Sequence, residues 1–174
     1  MTKHQDQCVI CEQIRACRDG THAGFIAELE SGFAVLGEHQ FFRGYSVLLS
    51  KEPAIELHEL SPAMCEVYLR EMSQLARAVA QVVRPHKLNY ECLGNVVHHL
   101  HFHVFPRQLT DPDPTAPVWG QIPKGADLAA WKLNRERDAA LAGEIREALQ
   151  KAREGNERAA PNGAAREDGF QSRL

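Results

Sequence analysis

Residues His99-Leu100-His101-Phe102-His103-Val104-Phe105 alternate imidazole and apolar side chains without interruption. Successive side chains of a β-strand point to opposite faces. Read as a strand, the segment puts His99, His101 and His103 on one face and Leu100, Phe102 and Val104 on the other. The chain therefore calls for a sheet whose apolar face is buried under a cover and whose histidine face is turned toward a site. Four of the nine histidines lie between His98 and His103, the one oddity in the composition. A lone histidine is most simply a hydrogen-bonded structural residue, but three at period two ask for another reason.

The rest of the pattern supplies the sheet and its cover. Phe25 to Leu29, Phe33 to Gly37 and Tyr45 to Ser50 are short aromatic and aliphatic runs, broken by Ser31-Gly32 and Phe42-Arg43-Gly44, and predict an antiparallel meander. Ser61-Pro62 offers an N-cap and a proline at the first helical position. Met64, Tyr68, Met72, Leu75, Val79 and Val82 then recur at steps of three and four, which predicts an amphipathic helix ending before Pro85. Leu88 to Leu93 and Val96 to Pro106 read as two more strands around Gly94-Asn95, and the closely spaced prolines from Pro106 to Pro123 predict a loop anchored by Trp119. A second helix is expected from Asp127 to about Arg153 on the strength of Leu128, Trp131, Leu133, Leu141, Ile145 and Leu149.

The predicted architecture is α+β: an antiparallel sheet of about five strands, one long helix packed on it, and a C-terminal helix. Its parts are a cap over residues 1–24 with a short helix at Glu12 to Cys17, a main domain over 25–107, a loop and helix over 108–153, and a disordered tail over 154–174. A chain of 174 residues with 44% hydrophobic and 25% charged residues suits one soluble domain, and its net charge of −3 gives no sequence-wide reason to bind nucleic acid. No apolar run reaches the roughly 18 residues of a membrane helix and the first residues hold no apolar signal core, so a cytoplasmic location is expected.

Five cysteines, an odd number, read as thiols or metal ligands rather than a disulfide framework. Cys8-x-x-Cys11 has the spacing of half a zinc knuckle, whereas Cys17, Cys65 and Cys92 look structural, with Cys92 inside a strand. The histidine row allows two chemistries. A metal held by three imidazoles would leave an open position for water, but the outer two residues are about four strand rises, roughly 13 Å, apart. Alternatively the central histidine attacks phosphorus while its neighbours set its tautomer and meet the charge on phosphate.

The segment His99 to Phe105, with Pro106-Arg107, the upstream Arg43-Gly44-Tyr45-Ser46-Val47-Leu48-Leu49-Ser50-Lys51 and the helix between, resembles the histidine triad (HIT) nucleotide hydrolases and transferases over residues 8–107. The resemblance implies a HIT-like sheet and a homodimer. It makes His101 the nucleophile toward the α-phosphorus, with His99 fixing its orientation, His103 on the phosphate oxygens, and Asn89 and Asn95 as amides that bind ribose or phosphate. Lys51-Glu52-Pro53 followed by His58, and the loop from Asp111 to Trp119, are similar to the fragile-histidine-triad branch, which hydrolyses dinucleoside polyphosphates such as diadenosine polyphosphates. The family's acidic ribose contact is replaced near Gly37-Glu38. In some relatives the cysteine pair, the first triad histidine and a further histidine hold structural zinc. Here that set would be Cys8, Cys11 and His99 completed by His98 or His58, because Pro53 cannot ligate. The expected reaction is hydrolysis through a nucleotidyl-histidine, with no cofactor required. The alternatives are phosphoramidase or nucleotidyl transfer through the same intermediate, a nucleotide-binding regulator with incidental turnover, and a metallohydrolase.

Overall fold

The computed structural model describes residues 8–159. Five strands, β1 (Phe25–Glu28), β2 (Gly32–Leu36), β3 (Ser46–Ser50), β4 (Lys87–Glu91) and β5 (His101–Arg107), form one sheet in the order β1-β2-β3-β5-β4, every neighbour antiparallel. The meander β1 to β3 forms as its runs predict. Helix α2 (Pro62–Val83) then carries the chain over the sheet, so that β5 slots between β3 and the edge strand β4. Ser61 caps α2 by accepting from the Met64 N–H at 3.3 Å, and Arg84 ends it in a left-handed turn at φ 51°.

Alternation buries both faces of the sheet. Ala34, Leu36, Leu48 and Leu100 pack under Tyr68, Leu75 and Val79 of α2 and under Leu141, Ile145 and Leu149 of a C-terminal helix. On the other face, Phe33, Val35, Val47, Leu49 and Phe105 pack against Ile10, Ile14 and Cys17 of α1 (Val9–Arg18) and against Val118. At the hairpin between β1 and β2, the buried Glu71 of α2 accepts the Glu30 and Ser31 N–H groups at 2.8 and 2.9 Å and the Ser31 hydroxyl. None of the described helices is long and apolar enough to cross a membrane.

Several expectations need correction. The strand predicted from Val96 begins at His101: Gly94 adopts φ +68°, and the Leu100 N–H goes to the Ala54 carbonyl at 2.8 Å, so residues 92–100 leave the ladder. Cys92 consequently lies beyond the end of β4 and is exposed. The loop after β5 is anchored by Trp119 as expected, its indole N–H donating to Glu91 of β4 and its ring packing edge-on against Phe105 although it stays 44% exposed, and also by the fully buried Val118 beside it. The single C-terminal helix is two, α3 (Ala126–Ala129) and α4 (Arg135–Ala159).

The break between α3 and α4 has a local cause. Residues 131–133 spend their backbone groups on the segment after β2, the Gln40 N–H donating to Trp131 O and the Leu133 N–H to Glu38 O, both at 2.8 Å. Asn134 then opens α4 by accepting the Arg137 N–H at 2.9 Å. Because α4 runs to Ala159, the tail expected from residue 154 starts as helix; residues 160–174 lie outside the described residues.

Candidate active site

Strand β5 presents His101 and His103 on one face, opposite Leu49 and Val47 of β3, with their ring centroids 4.7 Å apart. His101 Nδ1 lies 2.6 Å from the carbonyl oxygen of His99. A carbonyl can only accept, so Nδ1 carries the proton and Nε2 keeps a lone pair, which makes no hydrogen bond among the described residues. The residue is 8% exposed and lines a cavity of about 620 Å³. His103 Nδ1 lies 2.7 Å from the Tyr45 hydroxyl, and its ring is flanked by Phe105 and by the edge of Trp119 at 5.3 Å. Burial, with His101 and His39 nearby, pushes the pKa of His103 down to about 3, so it is neutral at physiological pH.

His99 turns away from the other two. It sits just before β5, donates from Nε2 to the Ser50 carbonyl at 2.8 Å, and is not among the residues lining the cavity. Three imidazoles converging on one ion are therefore not what the alternation builds. What His99 offers the site is its carbonyl, while its bare Nδ1 faces Cys8 Sγ at 3.6 Å and Cys11 Sγ at 3.5 Å. Those three atoms lie within 4.8 Å of one another. Two sulfurs and an imidazole nitrogen whose other nitrogen is held by a backbone carbonyl form a donor set suited to zinc. Neither His58 nor His98 joins the group.

The cavity has walls from four parts of the chain: Ile10 and Gln13 of α1, Glu38 after β2, the loop Gly94 to Val97, and the strap from Trp119 to Leu128. No backbone N–H of residues 94–97 donates to another described residue, so this loop offers free donors beside the histidines. Among the described lining residues Lys124 is the one lysine or arginine and Glu38 the one carboxylate, the latter accepting from Gln13 Nε2 at 3.2 Å. Gly37 has no room for a side chain, because a Cβ there would strike the Tyr45 ring.

Of the two predicted amides, Asn95 lines the cavity and Asn89 does not. The Asn89 Oδ1 accepts from Arg107 Nη1 at 2.8 Å in a neighbouring hollow. Arg107 is itself buried and holds the strap in place, donating to Asp111 at 2.8 Å and to the Asp113 and Ala116 carbonyls at 3.0 Å. Sequence reading missed Tyr45, Lys124 and the site-facing role of Trp119. Only the register of β3 on β5 could have found Tyr45, and its alternation does not reveal which strand it neighbours.

A family model described as HIT domain matches residues 21–110, just over half of the chain. No curated protein matches significantly. A solved structure of a histidine triad (HIT) protein from Sinorhizobium meliloti 1021 is 26% identical, with a TM-score of 0.64 over 82% of this chain and 98% of that one. A histidine triad protein from Marinobacter aquaeolei VT8 is 23% identical, with a TM-score of 0.63 over 74% of this chain and 89% of that one. A zinc-bound histidine triad family protein from Mycobacterium smegmatis is 21% identical, with a TM-score of 0.59 over 87% and 99%. These last two likenesses are of fold alone. Helix α1 and the strap beyond Thr110, which wall the cavity, lie outside the matched residues.

Proposed function

The chain belongs to the HIT domain family, and from that premise we propose that it hydrolyses nucleotides at the α-phosphorus through a covalent nucleotidyl group on Nε2 of His101. The observation that carries this reading is the His101 ring itself: Nδ1–H is tied to the His99 carbonyl at 2.6 Å, which leaves a bare Nε2 at the cavity. In the first displacement the Nε2 lone pair attacks phosphorus, a P–N bond forms, and the P–O bond to the leaving phosphate breaks. The positive charge that develops on the imidazole is shared with the His99 carbonyl, while His103 and the N–H groups of residues 94–97, which donate to no other described residue, are the donors available to the phosphate oxygens. Water then attacks the same phosphorus from the side opposite His101: a P–O bond forms, the P–N bond breaks and returns its electron pair to Nε2, the surplus proton of the water passes to solvent, and the nucleotide is released.

Dinucleoside polyphosphates are the substrates we put first, with Lys124 meeting phosphates beyond the first. A nucleoside phosphoramidase is the second reading. It is favoured by the charge of the site, since one lysine faces a leaving group that in a polyphosphate carries several negative charges. A panel of dinucleoside polyphosphates and nucleoside phosphoramidates, run with the parent protein and with products identified by mass, separates the two. Turnover of neither would leave a nucleotide-binding regulator.

Two further parts belong to the proposal. Cys8, Cys11 and His99 would hold a structural zinc ion that pins α1 to the chain just before β5, supported by their donor set and by the likeness to the zinc-bound protein of Mycobacterium smegmatis. Its chemistry is that of a cross-link, so a chelator should lower the melting temperature and leave kcat within about twofold at a temperature where the fold persists. Rate loss in step with metal loss, with circular dichroism unchanged, would contradict it. The chain would also form a homodimer, supported by the exposed Tyr90 on the edge strand β4 and Leu93 and Val96 just beyond it. Sedimentation at the mass of a single chain at micromolar concentration would remove that part.

A further inference from the structure

We propose that Tyr45 is a positioning residue whose hydroxyl fixes the tautomer of His103, so that His103 meets the phosphate with an N–H and not with a lone pair. The role in phosphate recognition rests on the function proposed above; the tautomer itself does not. The Tyr45 oxygen lies 2.7 Å from His103 Nδ1, and the residue is only 5% exposed. A phenol has one proton to give, and among the described residues His103 Nδ1 is the one acceptor its hydroxyl reaches. Were Nδ1 to carry the hydrogen and donate to the phenol oxygen, the phenol proton would be left buried without an acceptor.

The two ionised alternatives are closed as well. Burial, with Glu38 and Glu91 nearby, pushes the Tyr45 hydroxyl well above its ordinary range, so it keeps its proton. Burial pushes His103 the other way, to about 3, so it does not take a second one. What remains is a hydroxyl donating to Nδ1 and a hydrogen on Nε2.

The consequence lies in the pairing of His103 with His101. The two neighbouring imidazoles are held in opposite tautomers by opposite partners, a carbonyl for His101 and a hydroxyl for His103. One ring thus offers a lone pair to phosphorus and the other an N–H to its oxygens. With the wrong tautomer, His103 would turn a second lone pair toward those oxygens and repel them.

The ring of Tyr45 is not free to leave. It stacks on Phe105 at 4.1 Å and 12°, and it fills the space that a Cβ at Gly37 would occupy. This also accounts for glycine at 37, the place where the family resemblance puts a sugar contact: any larger residue there would displace the ring that orients His103.

The test is ring 15N spectroscopy of histidine-labelled protein without nucleotide, with His103 assigned by its loss in His103→Gln. Its signals in the parent should be those of an Nε2-protonated neutral ring. In Tyr45→Phe, which keeps the stacked ring and removes the hydroxyl, they should move toward the Nδ1-protonated form. With a substrate that the parent turns over, Tyr45→Phe should lower kcat by about 10- to 100-fold with a smaller change in KM. An Nδ1-protonated His103 in the parent overturns the proposal whether or not the variant folds. An unchanged tautomer in a folded Tyr45→Phe overturns it too, as does an unchanged kcat. The spectra need no substrate, so absence of turnover in the parent would count against the proposed reaction alone.

Discussion

His101 and His103 are the same residue type on the same strand face, and what separates their roles is the partner each keeps at Nδ1. In the proposed reaction the carbonyl partner leaves His101 a lone pair for phosphorus, and the hydroxyl partner leaves His103 an N–H for the phosphate oxygens. Removing the His101 imidazole closes the covalent path while sparing the cavity walls, so His101→Asn should lower kcat by about a thousandfold or more with nucleotide affinity changed only a few-fold. Pre-steady-state turnover and equilibrium binding on the same preparation check this, and a variant with a tenth of the parent rate would contradict it. At this scale the alternation of the histidines was readable in the sequence, because period two is a property of the strand alone. That His99 serves the site through its backbone carbonyl was not, because the strand stops short of it and the Leu100 N–H bonds to Ala54 instead; its grouping with Cys8 and Cys11, by contrast, is the one the family resemblance implied.

Among the elements, the five strands and α2 follow from local pattern, since turns, caps and apolar periodicity act over a few residues. The strap after β5 does not. Its shape depends on Arg107 gathering Asp111, Asp113 and Ala116, and on residues 131–133 pairing with 38–40, contacts that link distant parts of the sequence and replace the helix that composition favours. This strap supplies Lys124. Lys124→Ala should slow hydrolysis of a dinucleoside tetraphosphate about tenfold and leave a nucleoside phosphoramidate within about twofold, the difference being one charge-assisted contact to phosphate. Ratios of kcat/KM for the two substrates measure it. Equal effects on both would return Lys124 to the surface.

For the molecule as a whole, several imidazoles are kept neutral by burial. His103 is pushed down to about 3, and His22 and His39 are pushed below their ordinary range, His22 also by Arg135. Their unfolded counterparts titrate near 6.5. The unfolded chain therefore takes up protons that the folded one refuses as pH falls through about 6.5, so the stability these residues contribute is complete above that value and is lost progressively as pH falls toward their lower folded values, about 3 for His103. Between pH 7.5 and 5, before most carboxylates titrate, the urea midpoint should fall. A flat or rising midpoint in that window would mean that these rings take up their protons in the folded state.

The central claim, a nucleotidyl group carried on His101, has a stereochemical consequence. His101 must attack opposite the leaving phosphate and water must then attack opposite His101, so each step inverts the phosphorus once. A substrate with a chiral phosphorothioate at the α-position, hydrolysed in isotopically labelled water, records the sum. Net retention is the predicted result; net inversion would mean that water attacks directly and that His101 never carries the nucleotide.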